Sequence, residues 1–495
     1  MPTKKNSETV WSAQQKAIFE FVANGKGHGV VRARAGTGKT TTILESLKHA
    51  SLGRNLLCAF NKKIAEELTA KLQKSGANGE AKTLHSLGYA MVRGAWGNVR
   101  PDADRGFRIA ERVLNEAYKG NQPENEVVRI LVKLVSLAKG SCPFATHEDL
   151  LDLCETIDID DAKSAGWTND DLAGWARDVM DLAKEKDAII DFDDMVWLPV
   201  VNGWARGMYD LVIVDEAQDM NASQILLAQA ACRRGGRIIV VGDDRQAIYG
   251  FRGADSGSID RLKKELGAVE MGLTVTYRCP RTVVAYASKL VPDYEAAPKA
   301  PKGSISSMYE NAAMAALVPG DAVLSRKNAP LARMCLSVLR SGRKARIEGQ
   351  DVAAGLVALT KKLSGKGRRT VADTMTALQG WCDATVEAFN KSGRPSAEAR
   401  ISFVLDQADT IREMSEGCAT SNEIVTRIES MFKNDGAPCV TFSSIHKAKG
   451  LEWRKVFILR STLYPGKSQD IEEKNLEYVA ITRTKKDLVW IEKGE

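Results

Sequence analysis

GVVRARAGTGKTTT, residues 29–42, decides the architecture. A β-branched run breaks into a glycine-containing turn and then into a helical stretch opened by Lys39. A strand passing through such a turn into a helix is the context that a phosphate-binding loop requires. Gly36 and Gly38 let backbone N–H groups turn inward around a β-phosphate with no Cβ in the way. The helix beginning at Lys39 aims its positive end at the same phosphates. Lys39 can reach the β- and γ-oxygens, and the Thr40 hydroxyl suits Mg²⁺. Ala35, Gly36, Thr37, Gly38, Lys39, Thr40 and Thr41 are thus the candidate phosphate contacts. Ala33 stands where the strict eight-residue pattern begins with Gly.

The second half of the site is LVIVDEAQD, 211–219. An apolar strand ending in two acids sets Asp215 and Glu216 at the carboxyl edge of a sheet, where ligands of open α/β folds bind. Asp215 suits contact with Mg²⁺, and Glu216 can orient and deprotonate an attacking water.

Further apolar runs recur outward from these two: LLCAF (56–60), RIIVVGDD (237–244), LTVTYR (273–278), AVLSR (322–326), CVTFSS (439–444), VFILR (456–460) and LVWIE (488–492). Near-continuous apolar strands alternating with helical stretches indicate parallel sheets covered on both faces. The expected fold is α/β, with two lobes that each carry a helical insertion. The first lobe is read as 1–90 with 191–280, and its insertion as 91–190. The second is read as 281–345 with 437–495, and its insertion as 346–436. The first insertion is acidic: from Glu148 to Asp194 it carries 16 Asp and Glu against four Lys and Arg. The second holds the basic run KKLSGKGRR, 361–369.

Composition bounds the rest. At roughly 150 residues per domain, 495 residues predict about three domains. The net charge of +7 permits nucleic-acid binding without requiring it. No apolar run approaches the roughly 18 residues of a membrane span, and the N-terminus has no apolar signal region. Nine scattered cysteines without a CxxC pair argue against a disulfide framework or zinc ribbon and for reduced thiols. The expected location is cytoplasmic, with no membrane partner.

An ordered series of stretches from Trp11 to Lys486 resembles the UvrD/Rep-type superfamily 1 DNA helicases. WSAQQ (11–15) resembles the family's adenine-reading motif, pointing to Gln15. CAFNKKIAEEL (58–68) and TLHSLG (83–88) resemble its first two strand-contacting motifs. VDEAQD (214–219) resembles its hydrolysis motif, and VGDDRQAIYGFRGA (241–254) its long coupling motif. LTVTYRCP (273–280), SIHKAKGLEW (444–453) and NLEYVAITRTKK (475–486) resemble the remaining three.

This resemblance implies two RecA-like lobes, ATP and Mg²⁺ as cofactors, and single-stranded DNA and its duplex junctions as partners. It assigns γ-phosphate sensing to Gln246, adenine stacking to Tyr277, nucleotide contact to Glu452, and transition-state charge to Arg278 and Arg483. Single strands are held by stacking platforms and phosphate contacts. Phe60, Tyr249 and Phe251 fit the first role, and Thr83, His85, Arg252 and His446 the second.

GKGRRT (365–370) resembles a family turn that holds duplex phosphates through backbone N–H groups, with Lys366, Arg368 and Arg369 as its cations. Arg34 stands where the family usually has Gly and is read as an extra cation near the phosphates. Leu84 and Phe251 replace the more common Phe and Trp. The end of the chain just after the last motif is read as leaving no room for an appended nuclease. The implied activity is ATP-driven 3′→5′ translocation and unwinding in repair, replication or recombination. Two alternatives stay open: a translocase without unwinding, and an ATPase subunit that gates a protein partner such as a nuclease.

Overall fold

The computed structural model describes residues 10–50, 53–59, 61–117, 125–156, 167–248, 257–392, 397–434, 436–464 and 471–493. The chain divides into two compact units, one up to Leu273 and one from Thr274. Tyr277 and Arg278, read from the sequence as part of the first lobe, therefore lie in the second unit.

The first unit is built on a six-stranded parallel sheet. Its strands are β1 (Gly29–Ala33), β2 (Asn55–Ala59), β3 (Glu80–Thr83), β4 (Tyr209–Val214), β5 (Cys232–Gly242) and β6 (Val269–Leu273). Their spatial order is β3-β2-β4-β5-β1-β6. Alternation of side chains along each strand feeds two cores. Val30, Leu56, Val212, Val214 and Val240 enter one face, and Val31, Leu57, Ile213, Ile239 and Val241 the other. The helices are α1 (Ala13–Asn24), α2 (Lys39–His49), α3 (Lys62–Ser75), α4 (Leu84–Trp96), α5 (Arg105–Ala117), α6 (Asn125–Ser141), α7 (His147–Thr156), α8 (Asn169–Ala183), α9 (Phe192–Val201), α10 (Ala222–Ala231) and α11 (Ser258–Leu266).

Helices α5 to α8, with parts of α4 and α9, form a core of their own around Leu114, Leu131, Leu134, Leu172 and Trp197. Helices α4 and α9 serve both cores. Leu84, Leu87 and Val196 face the sheet, while Val92, Trp96 and Trp197 face the helical insertion. They cross at Gly88, where any Cβ would overlap the Met195 carbonyl oxygen.

The second unit has its own six-stranded parallel sheet: β7 (Ser304–Tyr309), β8 (Ala322–Ser325), β9 (Ala345–Ile347), β10 (Val440–Ser444), β11 (Trp453–Leu459) and β12 (Thr484–Glu492). The order is β7-β12-β11-β8-β10-β9. Its helices are α12 (Arg281–Ala287), α13 (Glu310–Ala316), α14 (Asn328–Arg340), α15 (Gln350–Leu363), α16 (Val371–Ser392), α17 (Ala397–Ser415), α18 (Ser421–Met431) and α19 (Ile471–Ile481). Among the described residues, helices α15 to α18 pack into the core of the sheet: Leu378, Ile411 and Ile424 share one apolar cluster with Leu331, Val323, Phe442 and Phe457. Asp406 of α17 accepts hydrogen bonds from the Asn328 and Ala329 N–H groups at 2.8–2.9 Å, capping α14.

One strand expectation is corrected. LTVTYR (273–278) is not a single strand, because β6 ends at Leu273 and Val275–Thr276 starts a separate two-stranded ladder with Glu295–Ala296. No described helix is long and apolar enough to cross a membrane.

Candidate nucleotide and DNA site

β1 lies between β5 and β6, so the loop after it opens from inside the sheet. Gly36 (φ 70°) and Gly38 (φ 81°) take left-handed backbone that a side chain would strain. The loop is closed by the Thr37 hydroxyl, which donates to the Arg34 carbonyl at 2.8 Å. Helix α2 starts at Lys39 with no side chain capping its first-turn N–H groups, which leaves them for an anion. Thr40 and Thr41 follow in that first turn.

Gln15 is buried beside this helix. Its Oε1 accepts from the Ser12 N–H at 3.0 Å, and its Nε2 donates to the Thr42 hydroxyl at 3.0 Å. The expected adenine-reading residue is thus brought to the loop with its amide already held by α1 and α2.

Lys39 Nζ lies 2.8 Å from Glu216 Oε1. Burial works against the Lys39 ammonium, yet Glu216, Asp215 and Asp243 hold its pKa above the ordinary lysine value. Asp215 ends β4. Burial, with Glu216 beside it, pushes its carboxyl up to about 7 against the pull of Lys39. Glu216 sits at φ 52°, a left-handed conformation rare outside Gly and Asn and often found at functional positions.

From Glu216 a chain of hydrogen bonds runs into the coupling motif. Gln218 Nε2 donates to Glu216 Oε2 at 2.6 Å. The Asp243 N–H donates to Gln218 Oε1 at 3.1 Å, and Gln246 Nε2 donates to Asp243 Oδ2 at 2.7 Å. Sequence reasoning passed over Gln218 and Asp243, although both stand in the quoted motifs. Gly242 is required here, because a Cβ would overlap Gln218 Oε1.

Arg34 corrects an expectation. Its buried guanidinium does not stand clear as a phosphate cation; it binds Asp243 at 2.9 Å and Asp244 at 2.8 Å.

These residues fit a nucleotide's phosphates. The α2 N-terminus and Lys39 supply positive ends, and Thr40 and Asp215 supply a hydroxyl and a carboxylate for a divalent ion. Among the described residues no group of three or more His, Cys, Asp or Glu forms a metal cage. Mg²⁺ commonly takes one or two protein ligands together with substrate phosphates.

The second unit gathers Arg278, Glu452 and Arg483. Arg278 Nε donates to Glu452 Oε2 at 2.5 Å, and its Nη1 to the Thr482 carbonyl at 3.3 Å. Lys485, also passed over, pairs with Glu452 Oε1 at 2.5 Å. Burial works against the Glu452 carboxylate, but Lys485 and Arg278 outweigh it and hold its pKa low. Arg483 is buried, and its guanidinium donates to the Val479 carbonyl at 2.9 Å and the Leu451 carbonyl at 3.3 Å. Burial and the Arg278 charge lower its pKa to about 10. Tyr277 is 52% exposed, as a stacking residue needs.

The DNA candidates divide three ways. Phe60, Tyr249, Phe251 and Arg252 lie outside the described residues. Thr83 caps α4, its hydroxyl accepting from the Ser86 N–H at 3.1 Å. His85 follows in the same turn, its pKa lowered by burial against the pull of Asp193. Beside Asp193 stands Phe192, 56% exposed, an aromatic face that the motif reading did not single out. His446 follows β10, next to Lys447, which pairs with Asp351 at 2.5 Å.

The GKGRRT turn is tighter than expected. Gly365, Lys366 and Gly367 are all left-handed. The N–H groups of Gly365, Lys366, Gly367 and Arg369 bond to Lys362, Lys361 and Ser364 within the turn. Arg369 Nη1 donates to the Leu363 carbonyl at 3.0 Å. Those backbone donors are therefore engaged, and the turn presents the exposed Lys366 and Arg368 side chains instead.

Comparison with known proteins agrees with this geometry. Residues 11–267 match the family model of the UvrD/REP helicase N-terminal domain, and residues 371–493 that of the UvrD-like helicase C-terminal domain. The chain is 23% identical over 538 residues to F-box DNA helicase protein 1 of Schizosaccharomyces pombe, covering 97% of this chain and 57% of that protein. It is 23% identical over 609 residues to a probable DNA helicase II homolog of Rickettsia conorii, covering 96% and 91%. It is 26% identical over 303 residues to the ATP-dependent DNA helicase Rep of Escherichia coli, covering 56% and 42%. The matches span about half the length of the first relatives. With its first-domain match alone running from residue 11 to 267, the chain belongs to the UvrD/Rep helicase family.

Proposed function

We propose that the protein is an ATP-dependent motor that moves along single-stranded DNA, 3′→5′ by family resemblance, and unwinds duplex DNA. The observation that carries this is the Lys39–Glu216 pair, 2.8 Å apart at the mouth of the Gly36–Gly38 loop. Mg²⁺, held by Thr40 and Asp215, would supply charge neutralisation at the β- and γ-phosphates. Lys39 binds the same oxygens once Glu216 releases it, and Glu216 then accepts a proton from the attacking water. Gln246 orients that water, and Arg278 and Arg483 stabilise the departing phosphate. Gln15, Tyr277 and Glu452 hold the rest of the nucleotide. Phe60, Tyr249, Phe251 and Phe192 offer ring faces to bases, while Thr83, His85, Arg252 and His446 contact the strand's phosphates.

The test is steady-state ATP hydrolysis with and without single-stranded DNA, with Lys39→Ala as control. Strong DNA stimulation, lost in the variant, is expected. Turnover equal to wild type in Lys39→Ala would remove the site assignment.

A second reading, translocation without strand separation, is favoured by the GKGRRT turn, where the N–H groups of Gly365, Lys366, Gly367 and Arg369 are already bonded within the chain and so are not offered to a duplex. Forked-duplex unwinding by the isolated chain separates the two. Neutralising Lys366 and Arg368 should lower unwinding more than DNA-stimulated ATPase if the turn grips duplex.

A further inference from the structure

Arg34 is the loop residue that the family resemblance leaves without a role. Its place follows from the register of the sheet. Arg32 on β1 pairs with Gly242 on β5, so two residues further along the chain Arg34 meets Asp243 and Asp244. Asp243 is fully buried, and a buried carboxylate is held in a fold only by a partner charge or by hydrogen bonds. Here both of its oxygens are used. Oδ1 takes the Arg34 guanidinium at 2.9 Å, and Oδ2 takes Gln246 Nε2 at 2.7 Å. The same arginine closes the phosphate loop from its backbone, where its carbonyl accepts from the Thr37 hydroxyl. One residue therefore fixes the loop with its main chain and the coupling motif with its side chain.

Two roles are open to a cation at this position, and they differ in what they change. A cation that touches phosphate in the bound nucleotide contributes to affinity. A cation that holds Gln246 in place acts where the orientation of the attacking water matters, in the transition state. The ion pairs to Asp243 and Asp244 commit the guanidinium to the second role. Resting on the ATPase reading above, we infer that Arg34 is a positioning residue. Through Asp243 it holds the Gln246 carboxamide, and so sets the rate of γ-phosphate cleavage rather than the affinity for nucleotide.

The test measures kcat and KM for ATP in the full chain, with Mg²⁺ and a saturating thymidine oligonucleotide, for wild type, Arg34→Ala and Arg34→Lys. Arg34→Ala should lower kcat on the order of 10- to 100-fold, as small misplacements near chemistry do, with KM changed by less than about threefold. In a Gln246→Ala background the same substitution should cost little more, because its target is already gone.

Both carboxylates are met by Nη1, so Arg34→Lys keeps the charge but carries it on a shorter, freely rotating stem in place of the fixed guanidinium, and an intermediate kcat with unchanged KM is expected. It also serves where the alanine variant fails to fold. A folded Arg34→Ala with wild-type kcat, or an unfolded one accompanied by wild-type kcat in Arg34→Lys, would reduce Arg34 to a structural ion pair. A KM raised tenfold or more with kcat kept would make it a phosphate contact. An equal further loss in the Gln246→Ala background would show that it does not act through Gln246. A wild-type chain that hydrolyses no ATP removes the functional reading and this inference together; a wild-type chain that turns over beside an unaffected Arg34→Ala removes the inference alone.

Discussion

The two helical insertions are built on opposite plans. The first wraps its own apolar core around Leu114, Leu131, Leu172 and Trp197, and meets the sheet core through the two-faced helices α4 and α9 and through α10, whose Ser223 hydroxyl donates to the Lys139 carbonyl of α6. The second shares its sheet's core: among the described residues, Leu378, Ile411 and Ile424 pack in the same cluster as Phe442 and Phe457. An apolar cluster is the unit that loses stability together, because removing one part exposes the rest to water. The first insertion is thus a module set on its lobe, whereas the second is part of the lobe's interior.

Excision breaks or confirms this contrast most directly. Replacing 350–434 with a short Gly-Ser linker should abolish cooperative unfolding of the second unit, followed by circular dichroism. Replacing 98–188 should leave the first sheet folded, with the phosphate loop still able to bind a fluorescent ATP analogue. Survival of the second unit without its insertion would sink the comparison.

Single truncations come next. Leu378→Ala and Leu131→Ala both remove a fully buried side chain and should each cost about 2–5 kcal/mol. They should differ in reach. Hydrogen exchange should speed up in β8 and β10 for Leu378→Ala. For Leu131→Ala it should speed up in α5 to α8 and leave β1 and β4 as they were. Asp406→Ala should cost about 1–2 kcal/mol by uncapping α14, read as a lower midpoint in urea. Exposed Arg368→Ala should move stability by less than about 0.5 kcal/mol, which makes it a clean probe of duplex grip by the turn.

The parts of this protein readable from sequence are those in which a residue's role depends on its neighbours in the chain. Gly36 and Gly38 are needed because the loop's own backbone is left-handed, and the apolar runs announce strands because each is buried along its length. The parts that were not readable depend on residues far away. Arg34 looked like a cation for phosphate until the sheet register set it against Asp243. The GKGRRT turn showed its glycines in sequence but not the use of its N–H groups, which depends on Ser364 and the end of α15. Edge strands such as β3, none of whose residues is fully buried, carry too little apolar signal to stand out. Cores are equally silent, because the periodicity of α16 and α17 is the same whether their apolar faces meet each other or a sheet.

The place of β1 bears on how the chain comes together during synthesis. Its partners in the sheet are β5 and β6, with Gly29 aligned to Ile239 on one side and Val269 on the other. Among the described residues no nearer segment pairs with it in the sheet, and closing so long a loop is slow. The helices between residues 105 and 183 can gather as soon as they are made, since they share an apolar core of their own. The phosphate loop, among the first parts of the chain to be synthesised, is therefore among the last to gain the frame that holds it.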